Sequence, residues 1–96
     1  MKIIKIDSIA CTSCILMNNV FDKVKEKYNF ELEEYDFDED YELIEEYNVK
    51  TLPTFIFYNN NQEVKRIVGE NKIDKFEEIL EGCEKNWKNL LLLSYY

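Results

Sequence analysis

Two cysteines separated by two residues, Cys11-Thr12-Ser13-Cys14, are the segment of this chain best suited to chemistry. A two-residue spacer inside one helical turn lets two sulfurs approach closely enough for a disulfide. Where such a pair opens a helix, the unpaired amides and positive end of the first turn favour negative charge on the leading sulfur. Cys11 is then exposed enough to attack, and Cys14, tucked into the helix, resolves the mixed disulfide. The chain contains no histidine, which excludes Ser-His, Cys-His and His-metal chemistry and leaves thiols, carboxylates and lysines. A zinc site needs two more ligands and only Cys83 remains, so zinc is disfavoured. The competing readings are an inert chance pair and, more weakly, a soft-metal thiolate site for Cu(I) or zinc. Three cysteines cannot all pair within one chain.

The elements around the pair can be read from spacing. Ile3, Ile4 and Ile6 predict a first strand at residues 2–6, rich in β-branched side chains. Met17, Val20, Phe21, Val24 and Tyr28 recur at helical spacing and predict a helix over about residues 12–28, which Asn29 can close. Residues 31–37 alternate as a second strand, and residues 40–47 form a short helix after an acidic turn. Thr54 to Tyr58 is the most strand-like run; the Asn59-Asn60-Asn61 turn joins it to a strand at residues 63–68, and Gly69 ends the hairpin. From Lys72 on, Ile73, Phe76, Leu80, Cys83, Trp87 and Leu90 make one helical stripe, with Gly82 as an interruption or a C-terminal cap. The expected fold is therefore α/β, in the order β-α-β-α-β-β-α, with a four-stranded mixed sheet flanked by helices.

Ninety-six residues suit one domain, residues 1–96, with 81–96 as a helical extension or tail. Hydrophobic residues at 46%, with two Gly and one Pro, exclude a disordered or collagen-like chain. A net charge of −8 repels phosphate backbones and anionic lipid, so no nucleic-acid and no membrane partner is expected. No targeting segment or membrane span is evident, and the cytoplasm, where close cysteine pairs do chemistry, is the expected compartment.

The only proline lies in Val49-Lys50-Thr51-Leu52-Pro53-Thr54, directly before the third strand. Together with Cys11-Thr12-Ser13-Cys14, the Asn turn and Gly69, this segment resembles the thioredoxin family over nearly the whole chain, to about Leu80. The resemblance implies a thioredoxin-like fold in which Pro53 is cis and its loop faces the sulfurs. It further implies catalysis by Cys11 and Cys14, and a client segment lying over Thr12, Ser13, Leu52 and Pro53 and pairing its backbone there as an added strand. No cofactor beyond the Cys11–Cys14 couple is implied. The partners would be disulfide-containing client proteins and a recycling reductase.

Departures from the family matter too. The extra first strand and helix of thioredoxins are missing, so the layout is closer to a glutaredoxin. Ala10 replaces the family's tryptophan before the first cysteine, which predicts a smaller, less apolar rim. The family's buried acid falls at Lys5, and Asp7 is a candidate replacement on what reads as a loop. Thr12 and Ser13 replace Gly-Pro; their hydroxyls either donate to a Cys11 thiolate, making the disulfide more oxidising, or only begin the helix.

Cys83 is expected to be a buried small hydrophobe. Residues 31–46 hold ten of the twenty acids and no Lys or Arg, a solvated face or a docking patch for a basic partner. The tail from Trp87 to Tyr96 is expected to pack within the chain and leave a monomer, a dimer through the tail being the alternative. The leading expectation is a thiol–disulfide oxidoreductase that reduces protein disulfides. A redox-inactive thioredoxin-fold binding module is the competitor.

Overall fold

The computed structural model describes residues 1–82. Its centre is β1 (Lys2–Asp7), which runs between β2 (Glu31–Asp36) and β3 (Thr54–Asn59), while β4 (Gln62–Val68) closes the far edge. The sheet order is β2-β1-β3-β4. β1 and β2 are parallel, joined through helix α1 (Thr12–Lys27), and the β3–β4 hairpin adds the antiparallel strands. The expected mixed four-stranded sheet is the one observed.

A central strand has both faces covered, which is why β1 reads as a continuous apolar run rather than an alternating one. Ile3 points to the face beneath α1, with Met17, Phe21, Val24, Phe55, Phe57 and Phe76. Ile4 and Ile6 point to the other face, with Ile44 and Ile56. Lys5 shares the Ile3 face by strand alternation, so a lysine is placed where an apolar residue would be ordinary.

The apolar stripe of α1 is Cys14, Met17, Phe21 and Val24, all buried, at spacings that put them on one side of the helix. Lys25 and Lys27 suit the negative end of the dipole. The helix closes at Tyr28, one residue before the predicted Asn29, with the Tyr28 N–H donating to Val24 at 3.0 Å. A short helix, α2 (Tyr41–Ile44), continues as one 3-10 turn (Glu45–Tyr47) and ends at Asn48 in the left-handed region, φ 55°. Residues 73–82 form α3. Phe76 on α3 meets Phe55 edge-on at 4.9 Å and lies 5.9 Å from Phe21, tying α3 to both sheet and α1. Gly82 still has helical backbone, so α3 does not end there in a left-handed glycine. Cys83 and the tail from Trp87 to Tyr96 lie outside the described residues.

The hairpin turn is Asn60-Asn61, with φ of 54° and 64°. Two successive positive φ values match the right-handed twist of the flanking strands, and asparagine reaches that region at lower cost than other non-glycine residues.

Candidate active site

Cys11 is the N-cap of α1, its backbone extended at φ −93° and ψ 113°. Its sulfur accepts the backbone N–H of Cys14 at 3.2 Å, taking the place that a Ser or Asp oxygen usually holds at a helix start. Its own N–H donates to Ser8 at 3.1 Å, which sets the loop that delivers it. Both thiols are free; Cys11 is half-buried and Cys14 is 1% exposed. One sulfur is therefore open to a partner and the other lies behind it. Burial pushes the Cys14 thiol up from 9.0 to about 12, helped by its hydrogen bond to Cys11 and by the charges of Cys11 and Asp7. A backbone hydrogen bond from Ser8 acts in the opposite direction.

The Leu52–Pro53 peptide bond is cis, as the family resemblance implies. Pro53 is buried and Leu52 half-buried. The Pro53 carbonyl accepts the N–H of Gly69 at 2.9 Å, and Thr54 Oγ1 donates to the Thr51 carbonyl at 2.6 Å, so the loop is pinned at both ends. Gly69 has φ +74°, a conformation that glycine adopts without penalty.

Lys5 does not stand free under the site. Its ammonium donates to Asn18 Oδ1 at 2.6 Å, lies 3.3 Å from Asp7 and 3.8 Å from Glu34, and sits over the Phe21 ring at 5.6 Å. Asp7, expected in a loop, is the last residue of β1 and is half-buried, because β1 runs one residue further than its isoleucines suggested. Its charge reaches Cys14, so the carboxylate near the second sulfur comes from Asp7.

Of the two spacer hydroxyls, Ser13 does not turn to Cys11. Its Oγ donates to Glu70 Oε1 at 3.0 Å, across the turn at Gly69. Thr12 is exposed on the first helical turn. Ile9, two residues before Cys11, is 87% exposed, and Ile15 and Leu16 are exposed on α1. Ser8 Oγ donates to Asp38 Oδ2 at 2.9 Å, bringing the acidic turn to the base of the same loop. Sequence reasoning missed Ser8, Asn18, Asp38 and Glu70; all four are tied by contacts between residues distant in the chain, which periodicity does not report. Among the described residues, no group of three or more Cys, Asp or Glu side chains is placed to hold a metal ion.

Residues 2–82 match the sequence profile of the thioredoxin family. A thioredoxin of Oryza sativa subsp. japonica is 37% identical over 81 residues, covering 80% of this chain and 60% of that protein. A thioredoxin of Ophiophagus hannah is 35% identical over 82 residues, covering 82% of this chain and 77% of its own length. The crystal structure of reduced Schistosoma mansoni thioredoxin superposes with a TM-score of 0.77 at 27% identity, over 84% of this chain and 76% of that one. The match thus runs through the cysteine pair, the cis-proline loop and the hairpin alike, and the chain belongs to the thioredoxin family.

Proposed function

We propose that this chain is a thiol–disulfide oxidoreductase that reduces protein disulfides through Cys11 and Cys14. The observation that carries the reading is the pairing of an open sulfur at a helix N-cap with a buried sulfur one turn on, linked by the 3.2 Å Cys14 N–H to Cys11 Sγ hydrogen bond. That N–H is a donor aimed at Cys11 Sγ where α1 begins. Cys11 as thiolate attacks one sulfur of the client disulfide, forming a Cys11–client bond and releasing the other client sulfur as a thiolate. Cys14 then loses its proton and attacks Cys11 Sγ. The Cys11–Cys14 bond forms, the second client thiol leaves, and two electrons and two protons have passed to the client. A reductase of the same two-electron class returns the pair to the dithiol. Burial raises the Cys14 thiol and so favours its protonated form in the resting dithiol.

Thr12, Ser13, Leu52 and Pro53 are assigned to the client surface in this reading, with the client backbone laid against the cis-proline loop. The cytoplasm is the compartment that suits a dithiol reductant. A monomer is the working state, checked by a solution mass against 11.6 kDa.

The test is a trap. Cys14→Ser should accumulate a mixed disulfide between Cys11 and a model protein disulfide, and wild type should reduce that disulfide catalytically with a small thiol as electron source. If the variant traps nothing and wild type reduces nothing, the reading fails and the redox-inactive binding module takes its place.

A further inference from the structure

The cysteine segment, the cis-proline loop and the turn after β4 are tied together, and residue 70 lies where they join. Ser13, between the two cysteines, donates to Glu70 Oε1 at 3.0 Å. The preceding residue, Gly69, donates its N–H to the Pro53 carbonyl at 2.9 Å. The following residue, Asn71, donates its N–H to Met17 Sδ at 3.3 Å and its side-chain amide to the Val68 carbonyl at 3.0 Å. Glu70 is therefore held on a fixed turn between the cysteine segment and the cis-proline loop, yet remains exposed.

Its carboxylate has no ion-pair partner among the described residues, although Lys50 and Lys72 lie within three residues of these loops. The Ser13 hydroxyl is neutral. At the other end of the loop, Asp38 is held by Ser8 at 2.9 Å in the same way. Ile9, two residues before Cys11, and Ile15 and Leu16, which follow Cys14 on α1, are exposed. A client segment reaching Cys11 would meet a fixed negative charge beside the spacer residues.

Resting on the oxidoreductase reading above, we propose that Glu70 is a specificity-determining residue. It selects client disulfides flanked by a lysine or arginine over those flanked by aspartate or glutamate. Because the carboxylate is already held in place, little side-chain freedom is lost when a basic group docks on it.

The experiment uses three synthetic peptides, each closed by a single disulfide, with Lys, Gln or Glu beside one cysteine. Pre-reduced protein is mixed with excess peptide, and the second-order rate of its oxidation is followed by acid quench and mass. Wild type should oxidise faster with the Lys peptide than with the Glu peptide by roughly threefold to tenfold at low salt, the ratio narrowing as salt screens the pair. Glu70→Gln keeps an acceptor for Ser13 and should bring the ratio close to one. An unchanged ratio in Glu70→Gln, or no discrimination by wild type, overturns the proposal. So does a ratio that collapses in Asp38→Asn while surviving in Glu70→Gln. If the Gln peptide is not reduced by wild type at all, the oxidoreductase reading itself has failed and this inference falls with it.

Discussion

Lys5 and Asp7 stand two residues apart on β1, on the face of the sheet that packs against α1, with the ammonium nitrogen 3.3 Å from a carboxylate oxygen. The same ammonium donates to Asn18 on α1 at 2.6 Å. One nearly buried cation thus links the strand that leads into the cysteine loop to the helix that leads out of it.

Replacing Lys5 with Met keeps the volume and removes the donor. Asn18 and Asp7 are then left without their partner, and a loss of about 1–3 kcal/mol is expected by chemical denaturation. Asp7→Asn should cost less in the Lys5→Met background than in wild type, because the two changes remove one interaction. Additive costs would show that Lys5 and Asp7 act independently.

The two thiols should alkylate very differently. With burial pushing the Cys14 thiol up to about 12, its thiolate is scarce at pH 7. Iodoacetamide followed by peptide mapping should place the first adduct on Cys11. Modification of Cys14 should rise only as pH climbs toward 12. Asp7→Asn removes a negative charge that opposes Cys14 ionisation and should move that rise to lower pH. Equal labelling at neutral pH would contradict the buried position of Cys14.

The same raised value has a consequence for stability. The unfolded thiol ionises near 9.0 and the folded one near 12, so between these values the folded chain holds the extra proton. The contribution is fully present below pH 9 and is lost as pH rises toward 12, with a slope of about 1.4 kcal/mol per pH unit at most. Tyrosines and lysines titrate in the same range, so the comparison is with Cys14→Ala. Wild type should lose stability more steeply than that variant across this window.

Asn61 sits at φ 64° in the hairpin turn. Asn61→Ala puts a less tolerant residue in the left-handed region and should cost about 1 kcal/mol, whereas Asn61→Gly should be near neutral. Thermal unfolding of the pair of variants reads the difference directly.

The strands and helices were legible because their causes are local. β-branched residues at Ile3, Ile4 and Ile6, the helical spacing of Met17, Phe21 and Val24, and three consecutive asparagines each report their own segment. The cysteine pair at the start of α1 and the proline before β3 were legible for the same reason. The surroundings of the site were not. Ser13 reaches Glu70 across 57 residues, and Ser8 reaches Asp38 across 30, through a sheet order and a glycine turn that set which loops converge. β-propensity falls at aspartate, which ends the predicted strand at Ile6, while pairing of Asp7 with Asp36 on β2 carries the observed strand one residue further. Ile9 shows the converse: nothing local says that an isoleucine will be left 87% exposed beside a thiol.

Cys11 holds two posts at once, since its sulfur is both the attacking atom of the proposed reaction and the acceptor of the Cys14 N–H, the third amide of α1. A thiolate accepts that hydrogen bond strongly and a disulfide sulfur weakly. Each turn of the redox cycle therefore tightens and loosens the first turn of the helix. By thermodynamic reciprocity, any change that steadies the beginning of α1 through this bond also makes the dithiol harder to oxidise. The amide proton of Cys14 is thus expected to report the redox state, exchanging more slowly in the reduced protein than in the oxidised one.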